Sequence, residues 1–389
     1  MAATVALRAA GVEVTIAERD VELGGIPRIT PHTGFGFRDR HRLMSGPRYA
    51  HVSAKAVARS GATVLTGTTV LSIDRDRRIE MVGPGGRRTD SFDAVLLATG
   101  VRERPRAARL VPGDRPAGVL TTGSLQRLVA AGLPVGARAV VVGAEHVGFS
   151  AIPTLRHAGC TAVAIVTDQA THSSHPALVR LTAGRFKVPI VTQVTVASIE
   201  GRGRVESVRL SDGRTIECDT VVFSGYWVPD HELAVRSGVL LDPATRGPLV
   251  TTGLATSVAG VFAAGNLLRG AMTADHCALE GRAAAAAIVT SFETGRAKAV
   301  VETTVEEPVA WVSPGIVDPA RTPPRGRFLL RLTDRDAHKA IVRQGDRTLW
   351  SGRIDGTPGP ERIVSIPANW VPKVDPTSPA PVRIGIAPR

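Results

Sequence analysis

The residues that stand out in this sequence are suited to holding a nucleotide rather than to attacking a substrate. Glu18 closes an apolar stretch, Val12 to Ala17, that follows a helical tail capped by Gly11. A strand that ends in an acid right after a helix is half of a dinucleotide-binding βαβ unit, and the acid bonds the adenosine ribose hydroxyls. The other half is a strand and a glycine-rich turn that aim backbone N–H groups and a helix N-terminus at the diphosphate. A second such place is Gly143-Ala144-Glu145-His146-Val147-Gly148, between a strand at Ala137–Val142 and a helix at His146–Ala158. There Glu145 replaces the middle glycine, whose role is to let the backbone approach a pyrophosphate. Its bulk and negative charge should repel a dianionic ligand. Asp168, at the end of the next strand, favours NAD over NADP if either binds.

Other chemistry is thinly represented. His172 and His175 have metal-like spacing in a Ser-rich loop, yet no further ligand cluster accompanies them, so no metal is expected. His276 and Cys277 begin a long helix; His32 and His41 flank Gly34-Phe35-Gly36-Phe37, where Arg38, Asp39 and Arg42 face either a substrate or a surface cluster. Cys160, Cys218 and Cys277 form no CxxC pair, which excludes a disulfide reductase, and three scattered thiols cannot ligate an iron–sulfur cluster.

The elements that must position these residues alternate. Short strands are predicted within Ala62–Asp74, at Arg78–Val82 and at Arg87–Ser91, with Gly83-Pro84-Gly85-Gly86 as a turn. An apolar strand at Ala94–Ala98 closes on Thr99-Gly100. A new unit runs from Gly136 through Thr161–Val166, and strands at Ile190–Val194, Val196–Ile199, Val205–Leu210 and Thr220–Ser224 are read as a second small sheet. The chain then returns through Gly260 to Asn266 and enters a helix from Thr273 to Phe292. Such alternation implies an α/β fold of parallel sheets covered by helices. Beyond residue 299, prolines cluster, β-like runs replace helical periodicity, and Trp311, Trp350 and Trp370 supply a small core. The expected division is one Rossmann-like domain at 1–118 and 229–298, a second Rossmann-like domain at 119–228, and a small all-β domain at 299–389.

With 389 residues, the chain has room for two or three domains at about 100–200 residues each. Hydrophobic residues at 43% and charged residues at 21% argue against disorder. No apolar run is long enough to span a bilayer, and no leader pattern opens the sequence, so neither a membrane partner nor export is expected. The cysteine usage fits a cytoplasmic location. The charge of +13 comes almost wholly from dispersed arginines, with five lysines, and aromatic residues make up 4%. A stripe with stacking platforms is therefore lacking, and no nucleic-acid partner is expected.

Gly24-Gly25-Ile26-Pro27, Leu96-Leu97-Ala98-Thr99-Gly100 and Gly260-Val261-Phe262-Ala263-Ala264-Gly265-Asn266, in that order, resemble the two-dinucleotide-domain flavoproteins of the pyridine nucleotide–disulfide oxidoreductase class over about residues 1–295. The segments HTGFGFRDRHRLMSGPRYA, ATGVRERPR, VVVGAEHV, YWVPDHELA and GVFAAGNLL resemble a subgroup near the α subunits of sarcosine oxidase, opine oxidase and hydrogen cyanide synthase. The resemblance implies that Glu18 holds the adenosine ribose of FAD and that Gly24 and Gly25 pass close to the cofactor. Thr99 and Gly100 would shape the crossing near the diphosphate, and Gly265 and Asn266 would lie at the ribityl chain. Asn266 stands where the class usually has Asp. The helix beginning at Thr273-Ala274-Asp275 would point its N-terminus at the flavin, with a tuning contribution of about 1 kcal/mol. A candidate NAD site would comprise Gly143, Gly148 and Asp168.

The resemblance also places the class's first strand and GxGxxG turn just before Ala2–Arg8, so the chain is expected to be short by about a dozen residues, one strand and a tight turn. A late start codon and a degenerate copy both explain this, and the chain as written should bind FAD poorly. The leading expectation is an FAD-dependent oxidoreductase that transfers hydride or electrons between a donor, either a small molecule of amine or amino-acid type or a nicotinamide cofactor, and an acceptor, alone or as one subunit of a complex with a second dehydrogenase subunit. The alternatives are a non-catalytic scaffold and an NAD(P)H-dependent flavin reductase feeding an electron carrier.

Overall fold

The computed structural model describes residues 1–295, 299–334, 337–357 and 362–387. The expected boundary at 298/299 falls beside residues 296–298, outside the described residues. The mixed α/β reading holds, with a β-rich C-terminal region.

The first half of the fold contains two parallel strand pairs. Thr15–Ala17 lies beside Thr63–Leu65, and Val95–Leu97 beside Val261–Ala263. Among the described residues the two pairs are not joined into one sheet. The far side of Val261–Ala263 is already used: Phe262 bridges Ala255, and Ala263 N–H donates to Leu254 O at 3.1 Å. The run read as Ala62–Asp74 breaks at Thr66-Gly67, because its second part, Thr69–Ile73, joins an antiparallel sheet with Arg78–Gly83 and Gly86–Ser91.

The second half is a five-stranded parallel sheet in the order Val119–Thr121, Thr220–Phe223, Arg138–Val142, Thr161–Val166, Ile190–Val191. Its middle strands are buried apolar runs, as a parallel sheet covered on both faces requires. This corrects the expected small sheet. Ile190–Val191 and Thr220–Phe223 belong to the parallel sheet, while Val196–Glu200 pairs antiparallel with Ser207–Leu210, which pairs in turn with a third strand, Thr215–Glu217. Pairing partners in a parallel sheet are chosen by crossover topology, which local patterning does not report.

The long helix Ala274–Thr294 ties the parts together. Ala2–Ala9 packs against it so closely that a Cβ on Gly281 would lie 3.4 Å from Ala3 N. Small residues permit that approach, and Ala3, Leu7, Phe262, Ala285 and Ile288 form the core beneath. In the C-terminal region, a five-stranded sheet and a three-stranded sheet close over Phe328 and Trp370, whose rings stack at 4.6 Å. This region is bonded to the rest: Thr252 hydroxyl donates to Asp318 O (3.0 Å), and Arg321 donates to Ala287 O (3.2 Å) at the long helix.

Candidate functional site

Glu18 follows the Thr15–Ala17 strand as expected. Its N–H donates to Leu65 O (2.9 Å), and its Oε1 accepts from Asp20 N–H (3.0 Å). The carboxylate is thus held at the strand end with its other oxygen outside that bond. The two glycines after it differ. Gly24 has φ +136, and a Cβ there would meet Ala50 Cβ at 2.9 Å, so protein packing excludes a side chain. Gly25 has φ +57 and would point a Cβ into open space. Its glycine leaves bare, exposed backbone.

Gly100 is similar, with φ +84 and nothing within 4 Å of a Cβ. Thr99 and Gly100 are pinned to the returning chain, since Thr99 hydroxyl donates to Asp230 O (2.7 Å) and Asp230 N–H donates to Gly100 O (3.0 Å). Arg102 fixes the same crossing through Asp230 (2.8 Å) and Glu232.

Gly265 and Asn266 begin a 3-10 turn after Val261–Ala263. Gly265 N–H donates to Glu280 Oε2 (2.6 Å), and Glu280 pairs with Arg269, both side chains being under 8% exposed. Asn266 Oδ1 accepts from Met272 N–H (2.8 Å) and from the Cys277 thiol (3.1 Å). Burial pushes the Cys277 thiol up to about 11, which keeps it protonated.

Thr273 is the N-cap of the long helix, Ala274 its first residue, and Thr273 Oγ accepts from His276 N–H (3.4 Å). The first turn also carries a carboxylate whose partners the sequence did not reveal. Asp275, buried, accepts N–H bonds from Gly36 (3.2 Å), Arg38 (3.0 Å) and Asp39 (3.1 Å). The helix N-terminus is therefore already partnered by an anion that clamps the 36–39 loop. Arg38 Nη1 lies 3.2 Å from His276 Nε2, and His276 Nδ1 lies 2.7 Å from Thr273 Oγ. Burial, then the charges of Arg325, Arg38 and Arg269, pull His276 down to about 4, so it is neutral at pH 7. Behind the loop, Asp39 receives the Tyr49 hydroxyl and Arg282, each at 3.2 Å. Burial and the neighbouring Asp275 raise its carboxyl above the usual range. Sequence reasoning gave Asp275, Tyr49, Arg269, Arg282 and Glu280 no role: the partners of Asp275 and Arg282 lie some 240 residues away, and Arg269 and Glu280 are charges buried where composition places them on the surface.

The second site forms on the parallel sheet. Gly143 has φ +125, and a Cβ there would meet Ser224 O at 2.7 Å; one on Gly148 would strike Gly143 O. Both glycines therefore serve the close strand–helix turn. Glu145 is the N-cap of the His146–His157 helix: its Oε2 accepts from Val147 N–H (2.6 Å) and its Oε1 from Gly148 N–H (2.9 Å) and Ser224 hydroxyl. Burial raises its carboxyl, and these three donors oppose that shift. Asp168 lies two residues past the Thr161–Val166 strand and accepts the Tyr226 hydroxyl (3.1 Å) and Gln169 Nε2 (3.2 Å).

Other candidates serve structure. His175 Nδ1 accepts from Ala177 N–H (3.2 Å) to cap a short helix, and His172 packs edge-on against Phe149. Among the described residues no group of acids, histidines and cysteines is arranged to hold a metal. His32 stacks on Phe35, whereas Arg42 and His41 are exposed. Among the described residues no helix is long and apolar enough to cross a membrane.

Comparison with known proteins fits this arrangement. The chain is 27% identical over 245 residues to the ferredoxin–NAD(+) reductase component of a Pseudomonas putida benzene 1,2-dioxygenase system, with 59% of this chain and 54% of that one covered. It is 28% identical over 335 residues to a subunit of the opine oxidase of Agrobacterium tumefaciens, covering 75% and 64%. A ferredoxin reductase structure from Rhodopseudomonas palustris superposes with a TM-score of 0.58 at 20% identity, covering 93% of this chain and 87% of that one, which supports the fold. The chain spans about half the length of the first curated relatives it matches. The model of the pyridine nucleotide-disulphide oxidoreductase family matches residues 1–281, and the chain belongs to that family.

Proposed function

We propose that this chain is an FAD-dependent oxidoreductase of the electron-transfer kind, taking electrons from NAD(P)H and passing them to an electron-carrier protein. One observation carries the reading: bare backbone at Gly25 and at Gly100, where a Cβ would meet nothing, occurs in a chain that also holds a second parallel βαβ unit followed by Asp168. Similarity to reductase components favours this over the amine-type donor. The working division keeps 1–118 with 229–298 for FAD and 119–228 for the nicotinamide cofactor.

FAD is the group that the family implies. Bare backbone at Gly25 and Gly100, where a Cβ would enter open space, fits a cofactor lying against the chain. Glu18 would accept from the ribose, and Gly265 and Asn266 would border the ribityl chain, sharing atoms that Glu280, Met272 and Cys277 already use. Bound FAD supplies the redox chemistry, and the protein supplies orientation and electrostatics. Arg38 and neutral His276 would present donors and an acceptor at the helix start, while the Asp275 clamp fixes the loop that carries Arg38.

A second reading, a small-molecule donor acting without nicotinamide, is favoured by the Glu145 carboxylate lying on the second helix N-terminus. The test is spectroscopic. Purified protein should be yellow, and NADH or NADPH added under argon should bleach it and support reduction of ferricyanide. Bleaching by amines or opines alone would establish the second reading. A colourless protein that takes up no added FAD would leave only the scaffold.

A further inference from the structure

A dinucleotide unit needs unused N–H groups at the helix start, space at the middle turn position, and an acid whose oxygens are open to the ribose. Here the first two are taken from within the chain by Glu145, and the acid is engaged in part by its neighbours. Glu145 fills the middle position, and its two oxygens take the N–H groups of Val147 and Gly148, with Ser224 hydroxyl as a third donor. Its backbone is extended (φ −96, ψ 179), so the position does not require glycine for conformation. Across the strand ends, Tyr226 hydroxyl and Gln169 Nε2 each donate to one oxygen of Asp168, which stays exposed and keeps acceptor sites on both oxygens. One segment serves both places, because Ser224 and Tyr226 are two residues apart. Arg109 braces it by donating to Ser224 O (2.8 Å) and Gly225 O (3.0 Å), with its guanidinium 4.8 Å from the Tyr226 ring centre.

We infer that Glu145 is an internal competitor for the diphosphate of NAD(P)H, and that with Tyr226 it sets how weakly this chain holds a nicotinamide cofactor. The inference rests on the reductase reading for its function, though not for its geometry. A diphosphate can reach the helix start only after the Glu145 carboxylate leaves it, and a carboxylate that stays near repels the ligand.

The experiment is a titration of the purified full chain with NADH and NADPH, followed by energy transfer from tryptophan to the nicotinamide; Trp227 adjoins Tyr226. Glu145→Ser keeps a hydroxyl cap on the helix and removes the charge. It should bind at least about tenfold more tightly than the parent, the ratio for about 1.4 kcal/mol. Glu145→Gly should do the same with a lower melting temperature, and Tyr226→Phe should give a smaller gain. Equal affinity of parent and Glu145→Ser would overturn the inference. So would a Glu145→Ser protein with a parent-like melt and circular dichroism that still fails to bind. If Glu145→Ser unfolds, Glu145→Gln supplies the same comparison with the acceptor retained. Tight binding without bleaching of the flavin in Glu145→Ser would sustain this inference and end the reductase reading. Micromolar binding by the parent, unchanged in the variants, would do the reverse.

Discussion

Asp275→Asn tests how the start of the long helix is built. The buried carboxylate accepts three N–H bonds from Gly36, Arg38 and Asp39, which lie some 240 residues earlier in the chain. Hydrogen bonds to a charged group contribute about 1.5–3 kcal/mol each, but three on one group are not additive. Asn keeps one acceptor oxygen and turns an NH2 toward an N–H that it cannot bond. The expected loss is therefore about 2–4 kcal/mol, which lowers the melting transition of this half by about 5–10 °C. A local readout is sharper. Amide exchange at Gly36, Arg38 and Asp39 should quicken by about 100-fold, because the loop opens without unfolding the rest. Asp39 should respond as well: with the Asp275 charge removed, its raised carboxyl moves back toward the ordinary range. Unchanged exchange at these three amides, with a melt within about 1 °C of the parent, would refute the clamp.

Three further outcomes follow from the same geometry. Glu280→Gln leaves buried Arg269 uncompensated and should cost about 3–5 kcal/mol in thermal or urea melts, whereas Arg269→Met with Glu280→Leu should recover much of that loss. Burial disfavours the thiolate and raises Cys160, Cys218 and Cys277 each to about 11, so at pH 8 native alkylation should run about 100-fold slower than for free cysteine. The rate should rise with pH, and one thiol reacting at the free rate would contradict the burial. Gly100→Ala should cost about 1–2 kcal/mol for its left-handed backbone yet lose most copurified FAD; full flavin content would show that the open space at Gly100 is not used by the cofactor.

What was legible in the sequence was local. Strand ends marked by Glu18 and Asp168, turns marked by Gly100, Gly143 and Gly265, and the change of periodicity after residue 299 all depend on neighbours within a few positions. Thr215–Glu217 is too short to mark itself as a strand, and only the turn signal Ser211-Asp212-Gly213 before it points to its pairing with Ser207–Leu210. Glu145 is legible in the sequence as out of place, but only its repulsion follows from that. Glu is an unusual N-cap, so nothing in the spacing shows its carboxylate turned back onto Val147 and Gly148. The Asp275 clamp and the Arg269–Glu280 pair were hidden for different reasons. The first joins residues far apart in the chain; the second buries two charges that composition places on the surface.

The long helix makes these hidden contacts one system. Its first turn clamps the 36–39 loop through Asp275, its second turn holds Arg269 and the Gly265 N–H through Glu280, and its last turns receive Arg321 from the C-terminal region. That region also brings Arg325, held at φ +60, close enough to His276 for its charge to depress the imidazole. The Pro324–Gly326 turn packs against the long helix, so the β-rich region and the helix are positioned against each other. The C-terminal region is therefore part of the site's electrostatics and not only a cover, since displacing it removes one cation from His276 and the Arg269 partner Ser313 together.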